Sequence, residues 1–192
     1  MTSFYSEEEL LSIGFKSYGI NVLISRYARF YRPENIVIGD HVRIDDFCIL
    51  SGNIKLGSYI HISAYTCLIG GVKGIILQDF VTVSSRCAVY AVSDDFSGEQ
   101  LNNSMIPTAY RSVIEGRVIL EDYVSVGTGS TILPGVKLEE GAAVGAMSFV
   151  KHTLEGWKIY AGVPCRYVKD RNQNMKQLRA VLQNSGEYEE SR

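Results

Sequence analysis

Residues 38–72 read IGDHVRIDDFCILSGNIKLGSYIHISAYTCLIGGV, and large aliphatics return there every six residues, at Ile38, Ile44, Leu50, Leu56, Ile62 and Leu68. A second, mostly apolar position follows each by four: Val42, Cys48, Ile54, Ile60, Thr66 and Val72. Just after the aliphatic stand mostly small or acidic residues: Gly39, Asp45, Ser51, Gly57 and Ser63. A helix would repeat its apolar residues about every 3.6 positions and a half-buried strand about every 2. A period of six fits neither over such a span. It fits a triangular coil in which each hexapeptide forms one side and turns one corner, so that three close a turn. The aliphatic points into the prism and the small residue lets the chain turn. Each turn buries its edges only against its neighbours, which is why many consecutive copies are needed.

The same phase extends backwards through Ile20 with Ile24, then Phe30 and Ile36. It restarts at Leu77, Val83 and Val89 after three extra residues around Gly74. It restarts again at Leu120, Val126, Ile132, Leu138, Val144 and Val150, with Gly127, Glu139 and Gly145 among the residues that follow. The organisation expected is an all-β chain in three parts: a helical cap over 1–19, a parallel β-helix over 20–169 interrupted by a loop at about 92–117, and a helix with a tail over 170–192. In the cap, Ser6 and Glu9 have capping-box spacing, Leu10, Leu11 and Ile13 are apolar, and Gly14 is a stop. Met175, Leu178 and Leu182 lie at helical spacing, which predicts a helix from Asp170 to about Asn184 and then a disordered polar tail. Both ends cover strand edges that an open coil would expose.

Composition excludes several classes of function. The 192 residues carry a formal net charge of -2 and no basic run, so no nucleic-acid partner is expected. No stretch approaches the roughly 18 apolar residues of a membrane span. The start, MTSFYSEEELL, has acids where a signal peptide carries bases, and the chain reads as cytoplasmic. Cys48, Cys67, Cys87 and Cys165 include no CxxC pair. Cys48 and Cys87 occupy repeat positions filled elsewhere by Val or Ile, which makes them small buried hydrophobes rather than a disulfide or a zinc site.

Between Val89 and Leu120 the repeat fails, in YAVSDDFSGEQLNNSMIPTAYRSVIEGRVI. A loop of this length inside a compact repeat is usually functional. It contains no histidine. His41, His61 and His152 fall at different offsets in their hexapeptides and read as surface residues.

The coils with this loop, the stretch GTGSTILPGVKLEEGAAVGAMSFVKHTL and the ending Tyr160-Ala161-Gly162-Val163-Pro164-Cys165-Arg166-Tyr167-Val168-Lys169 resemble the hexapeptide-repeat acyltransferases. With SFYSEEEL…IGF at the start, the pattern is similar to the nucleotide-sugar N-acyltransferases of surface-polysaccharide pathways, of the dTDP-4-amino-4,6-dideoxyglucose and anthrose type. The resemblance implies left-handed winding, against the usual right-handed crossover preference. It also implies an acyl-CoA co-substrate, acetyl-CoA in the first instance, and a homotrimer with sites between subunits.

Galactoside-type members of that family place a catalytic histidine near the start of the loop, where this chain has Ser93-Asp94-Asp95. Acylating a sugar hydroxyl favours a base of near-neutral pKa such as histidine. A neutral amine is already nucleophilic, and its proton becomes acidic only after attack, when a carboxylate can receive it. The aspartates therefore favour an amino-sugar acceptor, with Asp94 as the candidate base and Ser84, in the coil before, as a relay or a contact for the thioester sulfur. Glu115, Tyr110 and Arg111 are candidate substrate contacts. Gly127, Gly129 and Ala146, with Lys151 and Arg166 for phosphates, are candidate CoA contacts. An O-acetyltransferase and a non-catalytic hexapeptide assembly module are the alternatives. A γ-type carbonic anhydrase needs three histidines around zinc, two of them closely spaced, and this chain has no such pair. No metal is expected.

Overall fold

The computed structural model describes residues 3–184. They form a left-handed parallel β-helix of about seven turns, flanked by two helices. Val42 lies opposite Ile60 and Ile44 opposite Ile62, eighteen residues on, so one turn is three hexapeptides. The inward aliphatics make three internal columns, one per face. One runs through Ile24, Ile44, Ile62, Val83, Val126 and Val144, another through Leu50, Leu68, Val89, Ile132 and Val150, and the third through Ile38, Leu56, Leu77, Leu120 and Leu138. All of these are buried in one continuous core.

Two insertions shift the phase. Pro33–Asn35 forms a 3-10 turn that adds two residues, so Phe30 pairs with Leu50 but Ile36 pairs with Ile54. Ile36 therefore fills the second apolar position, and Ile24 rather than Ile20 fills the first. Ile20 is partly exposed, and Ile24 is buried opposite Ile44. Around Gly71–Gly74 a bulge adds three residues. Val72, expected inside, is 72% exposed, and Ile75 takes its place against Ile54.

Corners turn through left-handed backbone that non-glycine residues seldom adopt. At one corner His41, Tyr59, Phe80, Tyr123 and Trp157 all have φ between 53° and 63°. Their rings form a column, with centroids 4.4 Å, 4.9 Å, 5.5 Å and 5.7 Å apart in succession. Stacking between turns offsets the backbone cost, and it accounts for His41. His61 packs instead against a carboxylate, with its Nε2 2.8 Å from Asp45.

The helix α1 (Glu7–Ile13) starts at Ser6 through a reciprocal capping box with Glu9 and stops at Gly14, whose backbone is left-handed. At the far end Lys158–Ala161 and Arg166–Asp170 pair antiparallel and close the last turn. Arg171 donates to the carbonyls of Tyr123 and Gly141, and only then does helix α2 (Asn174–Asn184) begin. Its start is later than helical spacing alone placed it, because Asp170 is still paired with Lys158. The polar tail expected beyond Asn184 lies outside the described residues. Cys48 and Cys87 are buried, and all four cysteines are free thiols, with burial pushing Cys48 up to about 11.

Candidate functional site

After Val89 the chain leaves the coil through a two-stranded ribbon rather than an unstructured loop. Val92–Asp94 runs antiparallel to Val113–Glu115, with Asp94 opposite Val113 and Val92 opposite Glu115. The ribbon is tied to the prism at its foot, where Ala91 N–H donates to the Ile69 carbonyl and Gly116 N–H to the Ala91 carbonyl. Farther out, Leu101 bridges Arg111 and Thr108–Tyr110 makes a 3-10 turn.

Against this foot lies a hollow of about 630 Å³. Ile69, Tyr90 and Leu133 give it an apolar wall, and Asp94, Arg111 and Glu115 supply charge. The two neighbouring aspartates have different roles. Asp95 accepts from the Ser97 backbone N–H at 2.9 Å and from the Ser97 hydroxyl at 3.1 Å, so its carboxylate caps a turn. The Asp94 carboxylate accepts no hydrogen bond among the described residues and is half-buried at the hollow. Burial, then the neighbouring Cys67, raises the pKa of the Tyr90 phenol above its ordinary value. Among the described residues no three His, Cys, Asp or Glu side chains converge as a metal site would require.

The residues singled out in the sequence separate onto two edges of the prism. Tyr90, Leu133 and Lys151 follow the paired residues Val89, Ile132 and Val150, so Lys151 shares the edge that carries Asp94. Ser84 turns the preceding corner. It stacks beneath Gly127 and Gly145, since Ser84 N–H donates to the Val126 carbonyl and Gly127 N–H to that of Val144. Gly129 N–H bonds the Ser85 carbonyl, and Arg166 sits opposite Ala161 at the top of that same edge. Gly127 has a packing reason to lack a side chain, because a Cβ there would stand 2.5 Å from the Ala146 nitrogen. Tyr110 is exposed and does not line the hollow. Within one subunit, then, Asp94, Arg111 and Glu115 come together and Ser84 does not join them. The apolar wall of Ile69, Tyr90 and Leu133 was not anticipated, although all three follow the inward aliphatic of one face and so stand at one corner.

No protein-family model matches the chain. Among curated relatives, the dTDP-4-amino-4,6-dideoxy-D-glucose acyltransferase of Escherichia coli is 39% identical over 186 residues, covering 95% of this chain and 96% of the relative. Among solved structures, the S84A variant of AntD, an N-acyltransferase from Bacillus cereus, in complex with dTDP-4-amino-4,6-dideoxyglucose and coenzyme A is 52% identical. It superposes with a TM-score of 0.95 over 96% of this chain and 100% of that one. AntD in complex with dTDP and 3-hydroxybutyryl-CoA is 53% identical, with a TM-score of 0.94 over 96% and 98%. Identity of this degree over nearly the full length of both partners means that this chain belongs to the family of hexapeptide-repeat, CoA-dependent N-acyltransferases that includes these two enzymes.

Proposed function

We propose that the protein transfers an acyl group from acyl-CoA to the 4-amino group of dTDP-4-amino-4,6-dideoxyglucose. The carrying observation is the Asp94 carboxylate, held at the foot of the loop with no side-chain hydrogen bond among the described residues, in a loop that contains no histidine. The neutral amine attacks the thioester carbonyl, forming the C–N bond and a tetrahedral intermediate that carries an ammonium-like nitrogen. Asp94 takes one proton from that nitrogen. The C–S bond then breaks, and the CoA thiolate leaves and acquires a proton, delivered directly or through a hydroxyl such as Ser84.

The division of the site between two edges supports a homotrimer. Asp94, Arg111, Glu115 and Lys151 occupy one edge, and Ser84, Gly127, Gly129, Ala146 and Arg166 another. Packing three prisms about an axis brings unlike edges of neighbours together and deepens a shallow groove into the concave site a ligand needs. In that arrangement Ser84 of one subunit faces Asp94 of the next, with CoA along the glycine-rich edge.

The acyl group is read as acetyl. A 3-hydroxybutyryl group is the second reading, favoured by the AntD complex that holds that thioester and by the apolar wall of the hollow. The acylated sugar would serve surface-polysaccharide synthesis, O-antigen included. A cytoplasmic site of action fits four free thiols and a nucleotide-linked substrate. No helix among the described residues is long and apolar enough to cross a membrane.

The test is thiol release from acetyl-CoA and from 3-hydroxybutyryl-CoA in the presence of dTDP-, UDP- and GDP-linked amino sugars and their hydroxyl analogues. Release with the dTDP 4-amino sugar alone supports the reading. Equal release with the hydroxyl analogue would overturn it in favour of O-acylation, and no release with any of them would favour an assembly module.

A further inference from the structure

Thr66 stands at a mostly apolar position of the repeat, and it is fully buried. It belongs to an internal column of small residues, Ala28, Cys48, Thr66, Cys87, Ser130 and Ser148, stacked one per turn. Four of them reach the carbonyl of a corner residue on the Ser84 edge. Cys48 Sγ donates to the Ser63 carbonyl at 3.2 Å and Thr66 Oγ1 to that of Ser84 at 2.9 Å. Cys87 Sγ donates to the Gly127 carbonyl at 3.2 Å and Ser130 Oγ to that of Gly145 at 3.0 Å. This edge turns its carbonyls into the prism, and the column supplies donors there because a buried carbonyl left unpaired is costly.

The donors differ in strength from turn to turn. Thiols are weak donors, and they serve one turn below Thr66 at Ser63 and one turn above it at Gly127. At the level of Ser84 the donor is a hydroxyl. Thr66 Oγ1 also accepts from the Cys87 N–H at 3.4 Å, so the hydroxyl is held on both sides. The next carbonyl of the corner, that of Ser85, accepts from the Thr128 hydroxyl at 2.6 Å and from the Gly129 N–H at 3.0 Å. Both peptides of this corner are therefore clamped.

A trans peptide directs its N–H opposite to its C=O, and the bond between Ser84 and Ser85 is trans. With the Ser84 carbonyl drawn inward to Thr66, the Ser85 N–H points out of the prism beside the Ser84 side chain. Among the described residues that N–H has no hydrogen-bond acceptor, whereas the N–H groups of Ser84 and Arg86 bond the carbonyls of Val126 and Ala64. The tetrahedral intermediate of acyl transfer places negative charge on the former thioester oxygen. A fixed N–H with no partner of its own is the kind of donor that stabilises such a charge.

We propose that Thr66 is a positioning residue for the acyl transfer, holding the Ser84–Ser85 peptide so that its N–H meets the developing oxyanion. This role presupposes the acyl transfer proposed above and adds the group that orients the Ser84 corner. Thr66 touches neither substrate and acts only through the peptide.

Turnover, KM and melting of Thr66→Val, Thr66→Cys, Thr66→Ser and Cys48→Val in the full chain test this. Thr66→Val should lower kcat by about 10–10²-fold, as a reacting group displaced by about an ångström does, with KM for both substrates nearly unchanged. Thr66→Cys, which brings the thiol of the neighbouring turns to this level, should fall between, and Thr66→Ser should stay near native. Where Thr66→Val does not fold, the Cys and Ser variants carry the comparison. Cys48→Val removes the same kind of bond one turn below, so its melting temperature should fall while its kcat stays. Near-native kcat in Thr66→Val would overturn the proposal, and so would equal losses of kcat in Thr66→Val and Cys48→Val. Amide exchange followed by NMR reads the geometry without turnover. Ser85 should exchange faster than Ser84 and Arg86, and a Ser85 amide as protected as theirs would overturn the assignment. If the wild type acylates the hydroxyl analogue instead of the amine, the proposed acceptor falls. The ratio of variant to wild-type kcat on that analogue then decides the role of Thr66.

Discussion

The guanidinium of Arg179 on the C-terminal helix lies 2.7 Å from the carboxylate of Asp122 on the prism, with a second bond of 3.1 Å to Asp79 one turn below. The same group lies 4.9 Å from the centroid of the Phe80 ring and 5.7 Å from that of Tyr123. Partial burial works against its charge, but hydrogen bonds to Tyr123 and Asp122 outweigh that and raise its pKa. Helix α2 has no buried residue, so this contact with Lys176 over Trp157 and its pair to Glu140 carries much of the docking.

Arg179→Ala is accordingly expected to release the helix without unfolding the prism. Backbone amides over 174–184 should lose their exchange protection, while the melting temperature falls by no more than about 4 °C, as suits partly exposed ion pairs in a chain of this size. Hydrogen exchange followed by mass spectrometry reads both. Retained protection over α2 would show that Met175 and Leu182 suffice to hold it.

Ile62→Asp should abolish soluble folded protein. Ile62 is fully buried in the column between Ile44 and Val83, within the aliphatic core. An unpaired buried charge costs at least about 3–5 kcal/mol, comparable with the whole stability of many domains. His61→Asp, one residue earlier on the outward face, supplies the control. Its side chain is 41% exposed, so that variant should fold. Equal solubility and melting of the two variants would contradict the inward phase.

The period of six revealed the columns because every inward residue from Ile38 to Leu68 obeys it, and burial enforces it turn after turn. It failed at Ile20, Ile24, Phe30 and Val72 because insertions of two and three residues change phase without interrupting the apolar content. The site was legible only in part. Asp94 stood out because the loop broke the repeat. The hexapeptide phase is the same at all three corners, however, so it did not show that Ser84 and Asp94 sit on different edges.

That split of edges predicts an obligate oligomer for activity. Sedimentation is expected to give a trimer at micromolar concentration. Mixing Ser84→Ala chains with Asp94→Asn chains should restore a fraction of sites in which neither substitution is present, because in the proposed trimer each site draws one residue from each of two subunits. A fully active monomer, or mixed trimers no more active than either parent, would sink the shared-site arrangement.

The last prediction separates proton acceptance from orientation at Asp94. Asp94→Asn has nearly the shape of the native residue and can still hydrogen-bond an amine, but it cannot accept the proton that must leave after attack. Turnover should fall by about 10²–10⁴-fold, the usual contribution of a positioned acid–base group. Among the described residues the Asp94 carboxylate has no hydrogen-bond partner to lose, so melting and CoA binding should stay unchanged. If the residue served only to orient the amine, the loss would be smaller and would appear mainly in KM. Raising the pH should partly rescue the variant, since more amine arrives neutral and solvent hydroxide can take the remaining proton. The measurement is kcat for both proteins from about pH 6 to about pH 9 with a good amino-sugar substrate. Near-native kcat throughout would remove Asp94 as the base. Asp95 is already engaged by Ser97, so Glu115, which faces the same hollow, would become the group to test next.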